Sequence, residues 1–251
     1  ARISWTRPPG VEHLDGPDTI KNGVCDADGI DHRPPAQDRR TAPIEPPPSQ
    51  VSRAAELLRG AERAHIHAGS GVLHAQGSAA LKTVAESLGV SVTTSWAGRG
   101  GLPDDHEQLL PIWAMEPINQ ARSEADVVLV VGSRLGETDW WGKPPYWGKP
   151  DEQRMIQVDI DDEILGLNKA TELAVLADAN AFLSALGREL ERSPLPPDRL
   201  QANKARTAAL VEGQGKVRAQ LDAALENTAT PMHSAHVPNV CQKVFGDDAV
   251  Y

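Results

Sequence analysis

Val127-Val128-Leu129-Val130-Val131-Gly132-Ser133-Arg134 is the stretch on which the fold turns. Five aliphatic residues run without a break and stop at a glycine. A strand with one wet face alternates apolar and polar side chains; an unbroken apolar run fits a strand covered on both faces, as in a parallel sheet shielded by helices above and below. Working outward, Arg63 to Ala68 reads as a short strand ending at Gly69-Ser70-Gly71, and Val90 to Ser95 as a β-branched strand. Met155 to Ile160 and Leu173 to Leu176 read as two more, the second ending at Ala177-Asp178. Between them lie helical patterns: Val51 to Ala61, Gly77 to Leu88 stopped by Gly89, Pro117 to Ala125, and Ala181 to Leu190. Strands alternating with helices give an α/β fold, a three-layer Rossmann-like parallel sheet with helices on both faces.

The flanks differ. Residues 1–47 are rich in proline, including Pro34-Pro35 and Pro46-Pro47-Pro48 at their end, and show no clear period. They read as an irregular N-terminal arm, a linker or the remnant of a preceding domain. Residues 48–192 form the nucleotide-binding-like domain, and 193–230 a helical linker with a long helix over about Arg199 to Glu226. Residues 231–251 read as the truncated start of a further domain, with a helix over His233 to Val244 and a strand beginning at Asp248. The chain therefore reads as a fragment of a longer protein.

Composition narrows the function. Lys+Arg 25 against Asp+Glu 35 leaves a formal charge of −10, which repels phosphate backbones and argues against nucleic acid as a partner. No apolar run is long enough to span a membrane, and no secretory signal is visible. Two distant cysteines, Cys25 and Cys241, exclude a disulfide scaffold and fit a reducing, cytoplasmic setting. Five of the six tryptophans fall from Trp96 to Trp147, which marks that region for a local task.

In open parallel sheets, ligands bind beyond the carboxyl ends of the strands, and the motifs sit there. Gly69-Ser70-Gly71 lies between a strand and a helix, where it is either a plain tight turn or a place where a ligand meets backbone and helix dipole. Ser95 to His106 wraps three glycines around Arg99, suiting a loop over an anionic or flat ligand; His106 reads as an ordinary hydrogen-bonded group. Arg134 offers a bidentate phosphate contact, or a salt bridge to Glu137 or Asp139. Asp159 suits ribose hydroxyls, and the acids at 159 and 161–163 read as helix caps rather than a metal site. Asp139 to Gly148 is an aromatic cluster, either a stacking or subunit surface or a loop pinned by its own rings. No nucleophile motif, P-loop or metal-ligand spacing is present.

In this order, six pieces resemble the central domain of the thiamine-diphosphate-dependent enzymes related to acetolactate synthase. They are AAELL from Ala54, Ala68-Gly69-Ser70-Gly71-Val72, TTSWAGRGGLPDDH from Thr93, ADVVLVVGSRL from Ala125, IQVDID from Ile156 and LADA from Leu176. The resemblance covers roughly Pro46 to Leu190. It implies a parent enzyme that decarboxylates a 2-oxo acid and ligates the product as a homo-oligomer, dimer or tetramer, with thiamine diphosphate and Mg²⁺ held by other domains. It therefore implies no catalytic or metal residue in this chain, which would be inactive alone. It also implies FAD or ADP, or nothing, in the central domain. Where a ligand binds, the matching positions are Gly69, Ser70, Gly71, Thr94, Ser95, Trp96, Gly132, Ser133, Arg134, Asp159, Ile160 and Asp178. Where the FAD branch often carries a second arginine, this chain reads Gly136 to Gly148, whose Lys143 and Trp147 suit an adenine nucleotide or a subunit interface. The alternatives are a ligand-free oligomerisation module of a thiamine-diphosphate decarboxylase, and a stand-alone NAD-binding deacylase. The deacylase usually carries a zinc ribbon, which two distant cysteines do not supply.

Overall fold

Every side chain of β4 (Val127–Val131) is fully buried, as an unbroken aliphatic run demands. A computed structural model describes Val24 and residues 42–246. Around β4 it builds a six-stranded sheet in the order β3-β2-β1-β4-β5-β6, all parallel. The other strands are β1 (Ala64–Ala68), β2 (Val92–Thr94), β3 (Leu109–Leu110), β5 (Arg154–Asp159) and β6 (Leu173–Leu176). The helices are α1 (Pro48–Gly60), α2 (Ser70–His74), α3 (Ser78–Leu88), α4 (Met115–Glu124), α5 (Ala179–Arg192), α6 (Pro197–Glu226) and α7 (His236–Phe245). The strand order reverses between β1 and β4, which opens a crevice at their carboxyl ends.

One face of the sheet is apolar but for Thr94 and Arg154 at strand ends. Ile66, Val92, Leu129, Ile156, Val158 and Val175 pack there against α1, α3 and α5. Val51, Ala54, Ala55, Leu57 and Leu58 give α1 its buried stripe, with Pro48 at the first turn, where the missing amide costs nothing. Asp178 caps α5, accepting from the amides of Asn180 and Ala181 at 3.0 and 3.2 Å. The opposite face is mixed. Val128, Val130, Leu135, Trp147 and Met155 form one small cluster, and Leu110, Ile118, Ala121 and Leu210 another. Between them the sheet carries buried His65, His67, Ser91, Thr93 and Gln157.

The sequence expectations place five of the six strands and all the longer helices. The two-residue edge strand β3 and the one-turn α2 have no periodic signal of their own. The strand expected from Asp248, Cys25 and nearly all of the N-terminal arm lie outside the described residues. Helix α6 docks its first half: Asn203 Nδ2 donates to the Leu88 carbonyl at 2.8 Å and Thr207 Oγ1 to that of Gly89 at 3.0 Å. Both carbonyls are at the end of α3, where Gly89 takes φ +67° as the left-handed cap. Replacing Asn203 with alanine leaves the Leu88 carbonyl without this donor. The expected loss is about 1–3 kcal/mol of unfolding free energy in a urea titration.

Candidate functional site

A parallel sheet puts all strand ends on one rim, so the residues following β1, β2, β4, β5 and β6 come together there. Gly69, Ser95, Gly132, Asp159 and Asp178 each begin or flank such a turn. Ladder bonds tie the turns to one another. Gly69 N donates to the Val131 carbonyl at 2.8 Å, Ser95 N to that of Ala68 at 3.0 Å, Gly132 N to that of Val158 at 2.8 Å, and Ala177 N to that of Asp159 at 2.9 Å.

The three glycines at the switch point are there for backbone contact. A Cβ on Gly69 would lie 2.0 Å from the Gly132 carbonyl oxygen, and one on Gly71 would lie 2.7 Å from the Gly132 Cα. Gly132 itself holds φ +60°, a conformation that favours glycine. Gly71 N also donates to the Gly132 carbonyl at 3.1 Å. The amides of Gly69 and Gly71 are thus spent across the β1–β4 seam. The helix that follows is the five-residue α2, too short for the dipole contribution expected from sequence. Ser70, half-buried, is the polar group this turn still presents. Gly98 is equally constrained, since a Cβ there would lie 2.5 Å from the Ala68 carbonyl oxygen.

The next two turns are more open. Ser95 Oγ accepts from Gly98 N at 3.1 Å and fixes a 3₁₀ turn over Trp96–Gly98, leaving the Trp96 ring 68 % exposed. After β4, Ser133 Oγ accepts from Leu135 N at 3.2 Å, and Leu135 takes φ +51°. Arg134 is exposed. Neither of the salt bridges expected for it forms: Asp139 pairs instead with Arg122, its Oδ1 3.2 Å from Nη2. The Arg134 guanidinium has no partner among the described residues.

Asp159 Oδ1 accepts from Asp161 N at 3.1 Å, and burial pushes its carboxyl above the usual range. Asp161 Oδ1 accepts in turn from Glu163 N at 3.1 Å. No helix follows β5, so these acids are not the helix caps expected from sequence; Asp159 and Asp161 brace a run of turns instead, and among the described residues no three His, Cys, Asp or Glu side chains gather to hold a cation. Asp178 is buried in its cap role and its amide donates to the Ile44 carbonyl at 2.8 Å. His106 is an ordinary hydrogen-bonded group: its Nδ1 accepts from Gln108 N at 3.2 Å, and its Nε2 lies 3.4 Å from Glu86 Oε1. The glycine loop around Arg99 borders an open cavity of about 620 Å³ with Lys82, and Arg99 itself pairs with Asp104 at 2.9 Å.

The aromatic loop corrects one expectation. Trp147, taken from sequence as a ligand or interface residue, is only 1 % exposed. Its indole Nε1 donates to the Asp139 carbonyl at 2.8 Å, so it pins the loop from within. Trp140 and Trp141 are the exposed pair, at 39 and 43 %, with Trp140 stacked on Tyr146 at 4.1 Å between centroids.

Sequence reasoning passed over a buried polar cluster beneath β1. Strand alternation turns His65 and His67 to the same face, beside Thr93 on β2. His65 Nδ1 lies 2.9 Å from Ser91 Oγ and its Nε2 2.8 Å from Thr93 Oγ1. His67 Nδ1 lies 3.1 Å from Thr93 Oγ1 and 3.2 Å from Arg122 Nη2. Arg122 only donates, so His67 Nδ1 accepts and its proton sits on Nε2, 3.4 Å from Asp139 Oδ2. Burial drives both imidazoles below their ordinary pKa, so they are neutral at pH 7. Burial also pushes the Asp139 carboxyl up, but its partners His67 and Arg122 outweigh that and hold it below the usual range. With the imidazole neutral, the lasting positive charge is that of Arg122. The signal that could have found this cluster was the AHIHA alternation, two histidines two apart in a buried strand.

A parallel sheet with a switch-point crevice defines the class of Rossmann-like domains whose strand-end rim suits a nucleotide. The family described as "Thiamine pyrophosphate enzyme, central domain" matches residues 51–186, and the chain belongs to that family. It is 31 % identical to a 2-hydroxyacyl-CoA lyase of Oryza sativa subsp. japonica over 57 % of this chain and 24 % of that protein. It is 30 % identical to a probable acetolactate synthase large subunit of Methanocaldococcus jannaschii over 73 % of this chain and 31 % of that protein. A sulfoacetaldehyde acetyltransferase of Castellaniella defragrans is 33 % identical over 64 % of this chain and 27 % of its own. The chain thus spans about a quarter to a third of the curated relatives it matches. Among solved structures, a chain from Mycobacterium smegmatis assigned to the thiamin diphosphate-dependent enzymes shares the fold, with TM-score 0.53 and 23 % identity over 66 % of this chain and 32 % of that one.

Proposed function

We propose that this chain serves as the central domain of a larger thiamine-diphosphate-dependent enzyme, a transferase or lyase that cleaves a 2-oxo acid and ligates the product. Its own task is to bind an adenine nucleotide or flavin at the strand-end rim and to help build a dimer or tetramer. The observation that carries the ligand half is the exposed and unpaired Arg134 in the turn after β4, on the same strand-end side as the turn after β2 that carries the exposed Trp96. A guanidinium free of carboxylates suits a phosphate, and an exposed ring on the same rim suits a planar base. The lyase, synthase and acetyltransferase names of the relatives support the reaction class. Thiamine diphosphate and Mg²⁺ do not fit the described residues, which supply no cation cluster; in this reading other domains hold them. Among the described residues no helix is long and apolar enough to cross a membrane.

Calorimetric titration of the purified chain with ADP, FAD and NAD⁺ tests the ligand half, with saturable binding of ADP or FAD as the expected result. Replacing Arg134 with alanine should weaken that binding about tenfold or more, as loss of one charged hydrogen bond does, while thermal stability stays unchanged. Failure of all three ligands to bind would remove the nucleotide role. A second reading, a ligand-free assembly module, draws on the way Gly69, Gly71 and Gly132 fill the crevice with their own backbone. A stable dimer on gel filtration, with no bound nucleotide, is the result that reading expects.

A further inference from the structure

Trp140 and Trp141 hold φ values of +55° and +50°, two successive large residues in the left-handed region. Each such residue is strained by about 1–3 kcal/mol and persists only where its surroundings over-determine it. The surroundings here are buried and charged on both sides. Before the pair, Asp139 is 4 % exposed and held by Arg122, itself 3 % exposed. Arg122 reaches it from α4 by passing under the sheet, its guanidinium 4.9 Å from the Trp147 ring centroid and its Nε 3.4 Å from Thr93 Oγ1. After the pair, the buried Lys169 donates to the carbonyls of Gly142 at 3.2 Å and Gly148 at 2.6 Å. Burying a salt bridge is weak evidence of a stabilising purpose, because desolvation offsets the attraction. The cluster instead fixes where the loop between β4 and β5 sits, and that loop carries the partly exposed Trp140 and Trp141.

We propose that Arg122, Asp139 and Lys169 are positioning residues that hold Trp140 and Trp141 as a preformed aromatic shelf for the planar ring of a nucleotide-class ligand. The assignment of the ligand rests on the proposed nucleotide role of the rim; the positioning of the shelf does not. The loop costs little to order on binding because the strain and the buried ion pair have already set it.

The test replaces Arg122 with methionine and Asp139 with leucine together, which removes both charges without stranding either. A single Lys169→Met variant loosens the other anchor. The whole chain is used. Cooperative thermal unfolding reports folding, chymotrypsin reports cleavage after Trp140 and Trp141, and near-ultraviolet circular dichroism reports the Trp140–Tyr146 stack. The expected result is a folded protein, cleaved at those bonds roughly tenfold faster or more, with a weakened near-ultraviolet signal. Restoring Asp139 and Arg122 should restore both readouts. A folded double variant and a folded Lys169→Met variant, each with parental cleavage and dichroism, would overturn the proposal. Should the parent bind neither ADP nor FAD, the nucleotide reading of the rim falls, while the cleavage rates still decide whether the shelf is held by these residues.

Discussion

Replacing Gly69 with alanine is expected to cost the domain at least about 3 kcal/mol, the upper end of what overpacking does. The new methyl would sit 2.0 Å from the Gly132 carbonyl oxygen and 2.6 Å from its carbon. Relief by side-chain motion is impossible, because both partners are backbone. Both are also held by ladder bonds, from Gly69 N to Val131 and from Gly132 N to Val158, each 2.8 Å. At this chain length the loss corresponds to a melting point lower by roughly 6–12 °C. Gly60→Ala is the control, since nothing lies within 4 Å of a Cβ there. It should change stability by less than about 1 kcal/mol. Calorimetric or denaturant melts of the two variants side by side decide the matter, and equal stabilities would mean that the seam is not packed as described.

The second large effect is expected from Arg122→Ala. The substitution strands the Asp139 carboxylate in the interior, and breaking a buried pair in this way costs about 3–5 kcal/mol. Removing both charges with apolar residues should cost much less, and that contrast separates an unpaired charge from lost packing. The same cluster sets a pH dependence. His65 and His67 have folded pKa values below their unfolded ones, so the unfolded chain takes up protons first as pH falls below about 6.5. Asp139 is likewise depressed, so its contribution is present above the ordinary carboxylate range and lost below it. Stability is therefore greatest above pH 6.5 and declines on acidification. Urea midpoints taken from pH 7.5 down to pH 4 should fall steadily, and less steeply in His65→Gln. A flat profile would show that these imidazoles are not held neutral.

Much of the architecture was legible because burial leaves a mark on composition. The five aliphatic residues of β4 announced a strand shielded on both faces, and Gly89 ended α3 where a left-handed cap is needed. The rim was legible for the same reason, since chemistry in such folds gathers where strands stop. What stayed hidden was pairing across distance. Arg134 is five residues from Asp139 in sequence and looked like its partner, yet Arg122, seventeen residues away and on another element, takes that place. Trp147 looked like a surface ring because its neighbours are, but its own indole is turned into the loop. Leu109 and Leu110 form a strand only through β2, so their own sequence carried no period to read.

The thirty residues of α6 reach about 45 Å, far more than the sheet edge requires. Its buried residues stop at Leu210, and its last tether to the sheet is Gln214 Nε2 on the Leu109 carbonyl at 2.9 Å. Gly213 and Gly215 flank that tether, and each gives up about 1 kcal/mol of helix propensity relative to alanine. Flexion is cheapest at this fulcrum. A tilt of ten degrees there swings the far end of the lever by about 3 Å. Helix α7, with Val237, Val240, Val244 and Phe245 exposed, follows the far end of that lever, so any such tilt would carry its apolar side chains with it.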